Sequence, residues 1–298
     1  MSGVVHPKDY FLINEIAKFK ESNPEIRLGF AAITGSDTYG FRSTDSDYDI
    51  RGVFYYNTTD QLKLFNSKKS NFDYTIQNES DIVSQTTSRT NNEFGAIVKV
   101  EFRKYDFVFT EVKNFLVNLT RMNCTTLEQL FSNMLIYSDP YFVKLKNIIG
   151  NNLASRGIYD SYYGMANFNY KHYIESDRKA TVKKWLYVIR AYLSGIYALE
   201  NGKIQQDTNE LIKESSALNG NHQKLITNLI QLKQKNKEDN LIEDVTDYKS
   251  LKDYLLELRN ILDTALIQAF VDCKLLEQPT EILKEYLDYW IVDLRSSF

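Results

Sequence analysis

Two aspartates flank a tyrosine, Asp47-Tyr48-Asp49, at the head of an apolar run from Ile50 to Tyr56 (IRGVFYY). Side chains of an extended chain alternate between faces, so a strand from Asp47 to Tyr56 aims both carboxylates the same way. Paired hard oxygens suit a divalent ion such as Mg²⁺ or Mn²⁺. Eleven residues before Asp47 lies Ser36, part of a Gly35-Ser36 turn that follows a second apolar run, Ile26 to Ile33 (IRLGFAAI). Turn N–H groups and a serine hydroxyl are phosphate-binding groups. The stretch 35–52 thus combines a phosphate turn with a metal doublet, although the same residues would also serve as a capped turn and a solvated strand end.

Phosphoryl transfer commonly uses two ions about 3.5–4 Å apart, one acidifying the attacking hydroxyl and one binding the triphosphate. Two aspartates seldom hold both ions, so a third carboxylate is expected. Asp106 and Glu101 are the candidates, each in an extended segment, and their odd separation lets only one face the metals. Arg51, two residues beyond Asp49, is expected on the same strand face, holding a carboxylate in place. Lys183, Tyr187 and Arg190 fall on one helical face by i, i+4, i+7 spacing and are candidate nucleotide or phosphate contacts. Tyr162, Tyr163, Tyr170 and Tyr173 form an aromatic-rich stretch, read mainly as core and rim with base stacking as the alternative. The four lysines between Lys224 and Lys237 read as a solvated helix face.

The elements that must position these groups follow from periodicity. An amphipathic helix opens the chain with Leu12, Ile13, Ile16, Ala17 and Phe19, and Asn23-Pro24 ends it. Strands are expected at 26–33, 47–56 and 97–109, with residues 57–96 read as an insertion that contributes to substrate binding. Thr110 is expected to cap a helix reaching Met122, and Thr125 or Thr126 the next. Beyond Asp139-Pro140 the pattern is helical throughout. The expected fold is α+β: a small mixed-sheet domain over 1–138, then a helical domain over 139–298 forming the other cleft wall.

Composition narrows the options. With 36 basic and 39 acidic residues the formal charge is −3, so any polynucleotide contact must be local. Cys124 and Cys273 match no zinc or disulfide spacing, and three scattered histidines make no zinc cluster. With no long apolar segment or signal-peptide pattern, a cytoplasmic protein without membrane partners is expected.

The Gly-Ser turn and the DYDIRGV strand resemble the nucleotidyltransferase superfamily of DNA polymerase beta. More narrowly, SDYDIRGVF, DFVFTEVKNFL, NCTTLEQLF and VKKWLYVIRAYL resemble the RNA repair pathway DNA polymerase beta family, over about residues 28–200. That family's pattern sets an aspartate five positions before the glutamate that opens a helix. The resemblance therefore makes Asp106, ahead of Glu111, the third metal ligand, and leaves Glu101 as runner-up. Cys124 departs from the proline common after the preceding asparagine.

The resemblance implies transfer of a nucleoside monophosphate from an NTP to a hydroxyl. Asp47, Asp49 and Asp106 would be the catalytic metal ligands, two Mg²⁺ or Mn²⁺ ions the cofactors, and pyrophosphate the leaving product. An RNA 3′ end is the favoured acceptor, with a protein or a small molecule as alternatives. The competing reading is a non-catalytic nucleotide-binding regulatory or interaction module.

Overall fold

The computed structural model describes residues 7–63, 68–89, 96–176, 180–235 and 248–297, and side chains within these except at 7–9, 79–101 and 248–250. Helix α1 (Pro7–Ser22) buries Leu12, Ile16 and Phe19, the i, i+4, i+7 stripe of its sequence. Asn23 ends it by donating to the Phe19 carbonyl at 2.7 Å. Strands β1 (Ile26–Thr34) and β2 (Tyr48–Tyr56) follow, then a short helix α2 (Thr58–Leu62). The described part of the stretch read as an insertion is mainly a strand, β3 (Asn71–Arg89), paired along its length with β4 (Ala96–Glu111).

A fifth strand, β5 (Leu135–Ser138), completes a sheet of order β3-β4-β2-β1-β5. Only β2 and β4 run parallel; the other neighbours are antiparallel. Pairing of β2 to β4 starts at Tyr48↔Tyr105, whereas β3 and β4 stay paired as far as Arg89↔Ala96. The β3–β4 pair therefore continues as a two-stranded ribbon past the N-terminal end of β2.

The two faces of the sheet are covered differently. Leu28, Ile50, Phe54, Phe107 and Phe109 face α1 in one buried cluster. Phe30, Ala32, Val53 and Tyr55 face the helices, in a second cluster. A bulge at Gly29 sets this division in β1, because Leu28 pairs with Phe54 while Phe30 pairs with the adjacent Val53. The Phe142 ring lies where a Gly29 side chain would stand, and the Gly29 carbonyl accepts the Asp139 N–H at 2.7 Å.

The helical part comprises α3 (Val112–Thr120), α4 (Cys124–Leu130), α5 (Pro140–Gly150), α6 (Ser155–Asn169), α7 (Val182–Asn201), α8 (Thr208–Glu214), α9 (Gly220–Lys235), α10 (Tyr248–Val271) and α11 (Glu281–Ser296). Glu111 rather than Thr110 caps α3, and Asn123 rather than a threonine caps α4. Helix α7 is apolar nearly all round and lies at the centre, packed against α6 and α10. Its cluster includes the inner sheet face, so the buried core runs continuously across residue 138. Among the described residues, no helix is long and apolar enough to cross a membrane.

Candidate active site

The carboxylates come together through strand register. Asp49 and Asp106 are Cα partners on the parallel strands β2 and β4, so their side chains share the sheet face turned toward the helices. Asp47 lies one residue before β2 and is exposed. Arg51 ties this face together. One guanidinium nitrogen donates to Asp49 Oδ1 at 2.8 Å, and the other to the Asp106 and Ile50 carbonyls at 3.1 and 3.2 Å. Thr75 of β3 donates its hydroxyl to Asp106 Oδ1 at 2.5 Å. Glu101, the competing third ligand, is on β4 opposite Ser84, and its side chain lies outside the described residues.

Gly35 is where the turn meets the acid. Its φ is +72°, a left-handed conformation that favours glycine, and an added Cβ would clash with Asp49 Oδ2. The turn leaves β1 at Thr34, whose hydroxyl bonds the Asp49 carbonyl at 3.3 Å, and Ser36 follows as a buried residue. The Gly35 carbonyl accepts from the Thr38 hydroxyl at 3.0 Å and the Tyr39 N–H at 3.1 Å, which holds the turn closed.

The loop between turn and doublet is fixed from both ends. Arg42 pairs with Asp37, donates to the Ser46 carbonyl and stacks its guanidinium 3.6 Å over the Tyr48 ring. Sequence reasoning missed Lys233 of α9. Its ammonium is buried and donates to the Ser43 and Ser46 hydroxyls at 2.9 and 3.1 Å, and these hydroxyls bond each other at 2.7 Å. Lys233 is therefore not part of a solvated face; it locks the residue next to Asp47 to the helical half. Only its spacing in α9 beside Ile226, Leu229 and Ile230, all inward-facing, carried a signal of burial.

Helix α7 separates the three residues expected to contact nucleotide. Lys183 and Tyr187 are half-buried, and Tyr187 packs edge-on against Tyr39 and Phe41, each 5.8 Å away, in the loop after the glycine-serine turn. Arg190 is fully buried. It pairs with Glu128 of α4 at 2.6 Å and lies 3.7 Å over the Tyr39 ring. Glu128 also accepts the Tyr39 hydroxyl at 3.0 Å. The sequence showed the helical face but not Glu128, which is far away along the chain. Of the four tyrosines, Tyr162 is buried, Tyr163 stacks on Tyr159, and Tyr170 lies under Arg259; Tyr173 alone joins a surface cluster.

Among the described residues, no group of three His, Cys, Asp or Glu side chains meets metal-ligating geometry. The donor set nevertheless fits a divalent ion in kind: two hard carboxylates in register, each with one oxygen oriented by Arg51 or Thr75, and a third at the strand mouth.

A family model described as the RNA repair pathway DNA polymerase beta family matches residues 11–293. A Methanocaldococcus jannaschii protein described as uncharacterized is 28% identical over 257 residues, covering 86% of this chain and 89% of its own length. Bacillus subtilis YcgL, described likewise, is 22% identical over 195 residues, covering 65% of this chain and 64% of its own length. Among solved structures, an Enterococcus spectinomycin adenyltransferase with ATP and spectinomycin aligns at TM-score 0.40 and 15% identity, over 85% of this chain and 99% of that one. A nucleotidyltransferase-like protein from Exiguobacterium sibiricum aligns at TM-score 0.25 and 9% identity, over 86% of this chain and 76% of that one.

Proposed function

The chain belongs to the RNA repair pathway DNA polymerase beta family, and from that premise we propose that it transfers a nucleoside monophosphate from an NTP to a hydroxyl, favouring an RNA 3′ end. The observation that carries this reading is the register of Asp49 with Asp106, with the Gly35 turn against Asp49. Asp47, Asp49 and Asp106 would hold divalent ions, Mg²⁺ or Mn²⁺, which when bound neutralise phosphate charge and acidify the acceptor hydroxyl.

The chain's own residues do the positioning. Gly35 and Ser36 receive the β and γ phosphates, and Arg51 and Thr75 hold the carboxylates toward the reacting phosphorus. Lys183, at the start of α7, supplies a cation from the helical wall, and Tyr187 props that wall against the loop. The acceptor oxygen forms a bond to the α-phosphorus, the bond from that phosphorus to the bridging oxygen breaks, and pyrophosphate departs. The hydroxyl proton passes to water.

The test incubates the protein with α-labelled NTPs, Mg²⁺ or Mn²⁺, and either RNA or candidate proteins, beside Asp49→Asn and Asp106→Asn. Label on RNA that is lost in both variants is the expected result. Label on protein alone overturns the RNA acceptor, and no label anywhere while NTP still binds overturns the transferase reading for those acceptors.

A further inference from the structure

After Asn169 the α6 backbone widens into a π-helical turn, Tyr170–Glu175. Such turns are uncommon and concentrate at functional sites. This one builds an aromatic surface. Phe168 is 61% exposed, and the His172 ring lies 5.2 Å from it at an interplanar angle of 11°. Tyr173 stands edge-on to both rings. Beside them opens a groove of about 420 Å³ lined by Gly164, Asn167, Phe168, Lys171, His172 and Ser176. A Cβ at Gly164 would meet nothing within 4 Å, so one wall of the groove is open.

Cations flank the rings. Lys171 is exposed, and the Lys184 ammonium sits 3.6 Å over the Tyr173 ring and 6.0 Å from Tyr187. Tyr187 in turn packs on Tyr39 and Phe41 of the loop leaving the glycine-serine turn. A chain of ring and cation contacts thus links this surface to the edge of the active-site loop.

We propose that Phe168, backed by His172, is a base-stacking platform for the single-stranded RNA acceptor, with Lys171 and Lys184 contacting its phosphates. An exposed ring in a parallel stack presents a flat face suited to a nucleobase, and stacking of this kind tolerates any base. The flanking lysines favour a polyanion over a neutral peptide. The chain's net charge of −3 makes such a local cationic cluster necessary for holding a nucleic acid at all. A duplex hides its base faces, whereas an unpaired 3′ segment displays them. The assignment rests on the nucleotidyl-transfer reading only for the identity of the acceptor.

The experiment measures anisotropy of a labelled, 3′-blocked single-stranded oligoribonucleotide with the full chain, without NTP or divalent metal. Loss of transferase chemistry cannot then mimic loss of binding. Phe168→Ala is expected to weaken binding roughly 5- to 150-fold, the range for one lost base–aromatic stack. Phe168→Trp should retain it, and Tyr289→Ala, altering an exposed ring on α11, should leave it unchanged. An unchanged thermal melt for Phe168→Ala is expected of an exposed side chain. The same titration is repeated with a duplex of the same sequence, and a less than twofold effect of Phe168→Ala or equal binding of the duplex would each overturn the proposal.

Discussion

Asp49 is held by Arg51 on one oxygen and by the Thr34 hydroxyl on its carbonyl, and its other oxygen fills the space that a Gly35 side chain would take. Exchange of its carboxylate for an amide keeps the shape and removes the charge. Asp49→Asn and Asp106→Asn are therefore expected to lower nucleotidyl transfer by roughly 10²- to 10³-fold or more, with thermal unfolding little changed. Gly35→Ala combines left-handed strain, about 1–2 kcal/mol, with a clash on Asp49. It should lose both stability and activity. Gly202→Ala, also at positive φ but with its nearest contact 3.4 Å away at Leu275, should lose stability alone. Parallel melting and activity curves for the two variants check this contrast. The Asp47-Tyr48-Asp49 doublet and Gly35 were legible because strand alternation and turn chemistry are local. Asp106 was less so, since only pairing of β4 to β2 decides whether it or Glu101 faces the same way.

At the scale of elements, helices α4, α7 and α9 hold the site loop through buried polar groups. Removing Arg190 alone leaves Glu128 charged in the core, so Arg190→Met should cost about 3–5 kcal/mol, read by chemical denaturation. Glu128→Leu/Arg190→Met should recover much of that loss, because no unpaired charge remains. Lys233→Met strips two buried serine hydroxyls of a donor and should cost about 1–3 kcal/mol. It should also raise the Mn²⁺ concentration needed for half-maximal activity, since Ser46 adjoins Asp47. An unchanged metal requirement would leave Lys233 a purely structural residue. These links were illegible because each joins segments far apart in sequence, whereas the periodicity of α7 and α9 marked only that they were helices. Strand β3 was hidden for another reason: as an edge strand it carries many polar side chains and reads as a loop. Helix α8, with seven residues, is too short to display a period.

At the scale of the whole molecule, one buried core joins the sheet to the helices, and it contains acidic hydrogens that burial protects. Burial pushes the Cys124 thiol from about 9 up to about 11, and burial likewise raises Tyr39, Tyr162 and Tyr55, the last to about 12. Since the folded state holds these protons more tightly, their contribution is complete below the unfolded pKa values and is lost as pH rises through the folded ones. The denaturation midpoint should fall steadily from pH about 9 to 11, and Cys124→Ala should flatten the first part of that decline. The shift from mixed to helical patterning near residue 138 was readable, yet packing does not respect it, since hydrophobic faces on both sides find each other. Gly29 shows how the joint between them was made. The extra residue in β1 reconciles two counting rules: β2 needs strict alternation to keep Thr34 beside Asp49, while α5 needs a free carbonyl at Gly29 to receive Asp139. A chain lacking Gly29 would restore an unbroken ladder and preserve the spacing at the acidic end, but it would unmoor α5. A change of length at this point is therefore felt first at the seat of α5, while Lys233 and the Arg190–Glu128 pair still tie the acidic loop to the other helices.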